Sequence, residues 1–390
     1  MPLKGGVMPL GRSHFLVTLL ALFSAAAPAR AAWQPYVIGA GGEYAVIDPS
    51  SNSVVSQGNI FEDLMSNPQI SSKWSFLSDR HDIGSFYMDP SHDRIFLFTG
   101  KRDEYTDGVL ILRMSDRSFL AYTPYHWNRW GGDEMFVSDK NLIFYQGEKG
   151  MLVYDGITYT KDHKDITWPY HDGGTCFIPG TSIVYDRRYG FYDLDNYVKD
   201  RFGDVDNKIL KGKIGVVKSH NAEQVDCRNG KILLKETDQA VKLGESPKMM
   251  VYDLKTEKVI SKFYPENIEG WSSYYWQLSH DGQYAIWNDL IEVRMDSGEK
   301  NAFHNGHVVV CNSSSGEKIG EITLPAKTEE DLRNFKDYDF KGYSADDKKM
   351  LVYSDPYLYV VGINKPSISN KIKLPFTPGW YNSTGFVVWP

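Results

Sequence analysis

A short unit recurs seven times along this chain: a β-branched or aromatic strand, usually closing on Asp or Asn, then a tight turn and a second strand. The copies are Tyr44–Asp48, Val109–Arg113, Met151–Asp155, Tyr189–Asp193, Met249–Asp253, Val308–Asn312 and Tyr357–Gly362. Repetition at a fixed period constrains a fold more than composition does, because each unit must bury its apolar faces against its neighbours.

A second unit precedes each later copy: a strand, a turn rich in Asp, Gly, Asn or Ser, and another apolar strand. Its turns are Pro90–Asp93, Ser138–Asn141, Pro179–Ser182, Arg228–Lys231, Ser279–Gly282 and Ala345–Lys348. Each pair of units makes a four-stranded antiparallel blade, and the blades follow at about 52 residues, long for a propeller but reasonable with insertions. The sequence therefore predicts an all-β fold, one seven-bladed β-propeller over residues 32–390, with eight blades as the alternative count. The first blade lacks its upstream unit, while the C-terminus offers an orphan strand pair around Gly379–Gly385 and Phe386–Trp389. Joining the two ends in one blade removes exposed sheet edges, although Pro35–Ile38 competes for the same strand position.

Tyr36-Val-Ile-Gly, followed by Tyr44-Ala-Val-Ile-Asp-Pro-Ser-Ser-Asn-Ser-Val-Val55, resembles the YVTN-type repeat of secreted bacterial propellers, a group that also holds amine-dehydrogenase-like and lactonase-like members. The resemblance covers the repeat rhythm and implies fold; no catalytic residue carries over from it.

The N-terminal residues point to export. Lys4 and Arg12 precede an apolar run from Phe15 to Ala27, followed by the small-residue site Ala29-Arg30-Ala31. This is the pattern of a cleavable signal peptide over residues 1–31, cut before Ala32, and it predicts a periplasmic or secreted protein. The run is too short to span a bilayer, and no transmembrane segment is expected after cleavage. The formal net charge is −7, and loss of the segment, which carries three basic residues and no acid, makes it more negative. A nucleic-acid partner is not expected. Cys176, Cys227 and Cys311 are an odd set in a long chain and predict no disulfide framework.

In a propeller the turns joining strands a to b and c to d share one face, and loops b to c and d to a share the other. The first set is uniformly short here. The second holds every insertion: 57–78, 99–107, 199–217, 235–247, 288–307 and 326–336, with short helices expected at Asn59–Ser66 and Thr328–Phe335. Long loops on one side of a rigid scaffold are where binding residues concentrate. His92 and His280 fall in short turns, whereas His81, His171 and His220 occupy matching positions just before the innermost strand on the long-loop face. Residues at equivalent blade positions lie at one radius, so these three converge on the channel mouth as candidate metal ligands, with Asp82, Asp133, Asp172 and Glu223 nearby. Imidazole and carboxylate suit a divalent or transition metal. A histidine in this position also serves as a hydrogen-bond partner within its own blade, and the sequence does not choose between these roles. His304 and His307 are expected on a loop surface. The candidate ligand-binding set on the same face is Trp130, Asp133, Glu223, Trp271, Tyr275 and Trp380.

No cofactor attachment site, Gly-x-Ser-x-Gly elbow, phosphate loop or calcium loop occurs. The favoured function is an exported propeller that binds a small ligand or protein partner through its long-loop face. The alternatives are a metal-assisted or lactonase-like hydrolase, and a non-catalytic subunit of a periplasmic redox complex.

Overall fold

The acid that closes the repeat has a local physical role. Asp48 accepts hydrogen bonds from the main-chain N–H and hydroxyl of Ser50 and from the hydroxyl of Ser51. Asp155 holds the N–H groups of Ile157 and Thr158 in the same way, and Asp253 and Asn312 repeat the arrangement at Thr256 and at Ser314 and Ser315. A short polar side chain that satisfies donors two and three residues on fixes a tight turn. These bonds hold the Asp48 and Asp155 carboxyls below the usual carboxylate range. Asn52, Tyr159, Glu257 and Gly316 then take positive φ, and a register shift follows in the hairpins that turn after Asp48, Asp253 and Asn312. The Arg228–Lys231 hairpin uses Asn229 and Gly230, both at positive φ, as its two-residue turn.

The computed structural model describes residues 34–75, 77, 82–100, 106–127, 135–138, 140–147, 150–161, 166–167, 175–186, 190–193, 209–212, 214, 222–236, 249–263, 274–334, 336–377 and 385–390. Its strands form seven four-stranded antiparallel sheets, the blades of a β-propeller. Blade I takes β1 (Tyr36–Gly39), β2 (Glu43–Asp48), β3 (Ser53–Asn59) and, from the far end of the chain, β28 (Gly385–Val388). Blade II holds β4 (Asp82–Asp89), β5 (Arg94–Gly100), β6 (Thr106–Arg113) and β7 (Phe119–Trp127). Blade III holds β8 (Met135–Val137), β9 (Leu142–Gly147), β10 (Gly150–Asp155) and β11 (Ile166–Thr167), and blade IV β12 (Thr175–Phe177), β13 (Ile183–Asp186), β14 (Gly190–Asp193) and β15 (Ile209–Lys211). Blade V comprises β16 (Ala222–Arg228), β17 (Lys231–Glu236), β18 (Met249–Asp253) and β19 (Lys258–Phe263). Blade VI comprises β20 (Tyr274–Leu278), β21 (Tyr284–Arg294), β22 (Lys300–Asn312) and β23 (Lys318–Thr323). Blade VII completes the ring with β24 (Asp339–Tyr343), β25 (Lys349–Ser354), β26 (Tyr357–Gly362) and β27 (Ser367–Lys373).

The two ends of the chain close the ring together in blade I, as expected. Among the described residues the C-terminus supplies β28, which pairs antiparallel with β1 from Tyr36↔Val388 to Gly39↔Gly385; residues 379–384 of the expected strand pair lie outside the described residues. Pro35–Ile38 and Phe386–Trp389 do not compete: the first lies mostly in β1 as second strand and the second mostly in β28 as the innermost. Both are continuous apolar runs, because both strands are covered on two faces. Val37, Val387 and Trp389 pack in one cluster with Leu351, Tyr353 and Leu358 of blade VII, and the main-chain oxygen of Trp389 accepts from Ala345 N–H at 2.7 Å.

Two expected helices form, and one expected loop does not. Asn59 caps α1 (Ile60–Ser66), a four-residue helix α2 follows (Pro68–Ser71), and Thr328 and Asp331 form a reciprocal capping box on α3 (Glu329–Arg333). The segment 288–307, expected as an irregular loop, instead prolongs β21 and β22 as a paired ribbon through Arg294↔Lys300. The physical reason is its own apolar patch: Val293 and Phe303 are buried against Leu332 of α3, so the ribbon carries a small core of its own. Among the described residues, no helix is long and apolar enough to cross a membrane.

The closure yields the first test. Trp389 is 1% exposed, and Trp389→Ala should cost about 3–5 kcal/mol, as truncation of a large buried aromatic does. Urea unfolding followed by circular dichroism checks this. Unchanged stability would mean that the C-terminal strand does not hold the ring shut.

Candidate functional site in the central channel

Neighbouring residues of a strand point to opposite faces, so each innermost strand reaches forward to one blade and back to the other. At one level of the channel this gives four different contacts. Phe136 of β8 stacks on Phe177 of β12, centroids 6.2 Å apart. Cys176 of β12 is disulfide-bonded to Cys227 of β16. Asp226 of β16 accepts the N–H of Leu278 on β20 at 2.8 Å, and the Tyr343 hydroxyl on β24 donates to the main-chain oxygen of Gln277 at 3.3 Å.

The disulfide corrects the expectation that none forms. Cys176 and Cys227 lie 51 residues apart in sequence, one blade period, so equivalent strands bring them face to face. Blade IV, with strands of three or four residues, is the small blade that this bond ties down. The third cysteine, Cys311, is free and buried, and burial pushes its thiol up to about 12, which leaves it inert to exchange.

Below these contacts lies a cavity of about 650 Å³, lined by the innermost strands of blades II to VII and by their a-to-b turns. Exposed turn residues Ser91, Pro179 and Asn229 mark its mouth. It therefore sits at the short-turn end of the channel. Its walls are mixed: blades II to IV contribute Phe86, Met135, Phe136, Val137 and Phe177 with Asp89 and Ser91, and blades V to VII contribute Arg228, Gln277, His280 and Lys341 with Phe340 and Tyr343. Lys341 is placed there by a register shift between Phe340 and Gly342, and bulges of this kind re-aim side chains. Gly342 takes φ +109, and a Cβ there would meet nothing within 4 Å.

The mouth is held by paired carboxylates. Arg94, 2% exposed, donates through Nε to Asp89 at 3.0 Å and crosses to blade III through Nη1 to the Gly156 oxygen at 2.7 Å. Asp89 also accepts from the Ser91 hydroxyl. Although burial opposes it, these donors and the Arg94 charge hold the Asp89 carboxyl below its usual range. Asp347 of blade VII accepts the main-chain N–H groups of His280 and Asp281 at 3.1 and 2.7 Å, and His280 Nδ1 lies 3.1 Å from the same carboxylate.

A second group of titratable side chains adjoins the channel between blades VI and VII. Lys341 pairs with Asp339 while its own side chain is 3% exposed. Asp337 accepts the His304 N–H at 3.3 Å. Burial raises the Asp337 carboxyl and lowers the His304 imidazole, the nearby carboxylates of Asp337 and Asp339 only partly offsetting the latter. His304 is thus not a loop-surface residue: it stands in β22 opposite Leu290.

Of the residues named from sequence, His81, His171, His220, Trp130, Asp133, Trp271 and Trp380 lie outside the described residues, as does Asp172. Glu223 and Tyr275 fall on β16 and β20 opposite Lys235 and Asn288, and only their backbone is described. Among the described residues no group of three or more His, Cys, Asp and Glu side chains is arranged to hold a metal ion. Arg228, Gln277 and Lys341 were not singled out from sequence. The Lys341-Gly342 step inside an innermost strand is the signal that marks a bulge there.

No family model matches this chain, and no curated protein matches it. Similar solved structures are propellers of low identity. Kluyveromyces lactis Hsv2 is 14% identical over 77% of this chain and 84% of its own, with TM-score 0.43. The β-propeller domain of Cps50 (Swd1) from Myceliophteria thermophila is 8% identical over 75% and 86%, with TM-score 0.46. Dihydro-heme d1 dehydrogenase NirN is 9% identical over 89% and 64%, with TM-score 0.42.

Two outcomes are expected from this geometry. Replacing Cys176 and Cys227 together by Ser should lower stability by about 2–5 kcal/mol, the range for a native disulfide closing a loop of this order. A double variant that melts with the wild type would remove the clasp. The second concerns pH. Because burial lowers the His304 pKa below the ordinary histidine value, the unfolded chain takes up the proton first, and stability should fall as pH drops below that ordinary value and through the lowered pKa. His304→Gln should flatten this acid limb, measured as melting temperature from pH 7 to pH 5. An unchanged slope would show that His304 does not titrate differently on folding.

Proposed function

We propose that this chain is an exported binding propeller whose small-molecule ligand occupies the central channel. The observation that carries the proposal is the cavity of about 650 Å³ between the innermost strands, lined by both polar and apolar groups and within the size range of small-molecule sites. Export is supported by the signal-peptide pattern of residues 1–31 and by the Cys176–Cys227 bond, since such bonds persist in oxidising compartments. The blade rhythm supports a place near the YVTN-type secreted propellers. A partner on the long-loop face, which the sequence favours, is the alternative location for binding.

A screen of small molecules by thermal shift separates the two. A channel ligand at a hundred times its Kd stabilises the fold by about 2.7 kcal/mol. Ala345, in the turn after β24, is among the residues that line the cavity, so the bulk of Ala345→Trp should obstruct it and abolish the shift. Stabilisation that persists in a folded Ala345→Trp variant would place the site elsewhere and overturn the channel proposal.

A further inference from the structure

We propose that the channel cavity selects a flat organic cation bearing N–H donors, an ammonium or amidinium group on an apolar ring, an assignment that rests on the channel reading above. Most charged side chains that line the cavity are matched within the protein. Asp89 has the Arg94 guanidinium, and Asp347 has two main-chain N–H groups and the His280 imidazole. Lys341 has Asp339, and Arg228 has Asp226 beside it.

Asp281 is different. It stands in the a-to-b turn of blade VI and lines the cavity. Both hydrogen bonds to its carboxylate, from the Ser279 hydroxyl at 2.6 Å and the Gln283 N–H at 2.8 Å, fall on Oδ1. A carboxylate offers about four acceptor sites on its two oxygens, and no donor among the described residues is bonded to Oδ2. Lys231 lies within the field of this carboxylate, but its ammonium donates to the Gly282 oxygen and to the Ser313 and Ser314 hydroxyls. The cavity is therefore left with negative charge in excess. On β20 of the same blade, Gln277 lines the cavity and its Oε1 is buried without a hydrogen-bond partner. A buried acceptor of this kind calls for a donor, which favours a cation with N–H groups over a quaternary one. Phe136 and Phe177 stack on the walls of blades III and IV, and Phe340 and Tyr343 meet edge to face on blade VII with centroids 5.4 Å apart. Aromatic rings attract both a flat apolar ring and a positive charge. One molecule that meets all of these has a ring, a positive charge and an N–H.

Benzamidine, benzamide and benzoate share a planar ring and differ in charge, while benzyltrimethylammonium keeps the positive charge and lacks the N–H. Each is titrated calorimetrically into the oxidised protein. Benzamidine should bind at least about tenfold more tightly than benzamide, more tightly than benzyltrimethylammonium, and benzoate should bind most weakly. Asp281→Asn, which keeps an acceptor for Ser279 and Gln283, should bring benzamidine and benzamide to near equality. Asp281→Glu, which restores the charge, should recover part of the preference and guards against a folding defect in the first variant. Gln277→Leu should erase the advantage over benzyltrimethylammonium. Benzoate binding as tightly as benzamidine, a charge preference that survives Asp281→Asn, an N–H preference that survives Gln277→Leu, or no binding of any probe would overturn the assignment. Probe binding of another charge preference that Ala345→Trp abolishes would leave channel binding standing and remove only the cation. Probe binding indifferent to Ala345→Trp would remove both.

Discussion

Every other feature of this fold depends on the seam between adjacent blades. A four-stranded sheet with apolar side chains on both faces cannot bury them alone, and the clusters reflect this. One cluster joins Phe96 and Phe98 of blade II to Met135 and Tyr145 of blade III; another joins Tyr185 and Phe191 of blade IV to Ile232 and Leu234 of blade V. A third joins Val308 and Val310 of blade VI to Met350 and Val352 of blade VII. A row of such sheets ends in two uncovered faces unless it closes on itself. The ring is thus a consequence of two-faced burial, and β28 beside β1 is the contact that completes it.

Within that frame the innermost strands are free to vary, because the seams behind them carry the stability. One channel level accommodates an aromatic stack, a disulfide, a carboxylate on a main-chain donor and a phenol on a carbonyl. The variation makes the channel wall different from blade to blade, an irregularity that a strictly repeating sequence would not have. Function in a propeller is accessible at this level: the scaffold tolerates chemistry at the axis that it would not tolerate between blades.

How much of this was legible in sequence follows from the range of each interaction. The outer hairpins were legible because Asp48, Asp155 and Asp253 act within three residues, and the Thr328–Asp331 cap was legible for the same reason. The division of the closing blade was not, because Pro35–Ile38 and Phe386–Trp389 carry the same apolar pattern and only the pairing of the ends tells them apart. The Cys176–Cys227 bond was hidden by the odd cysteine count, although a separation of one blade period was its trace. The ribbon at 290–304 passed for a loop because its core depends on Leu332, beyond the next strand. As for the candidate site, the histidines singled out from sequence lie beyond the described residues, while Arg228 and Gln277 acquire meaning only from the blades on either side of them.

The placement of β28 orders events in time. It is the last strand of the ring to leave the ribosome and, if the chain is exported, the last to cross a membrane, yet it occupies the innermost position of the first blade. Until it arrives, β1 has an open edge and the seam between blades VII and I lacks Val387 and Trp389. A chain built this way cannot finish folding before its C-terminal strand has been made. Its closure is a late event that waits for the whole propeller, and a nascent propeller halted before residue 385 would be an arc with two adhesive ends.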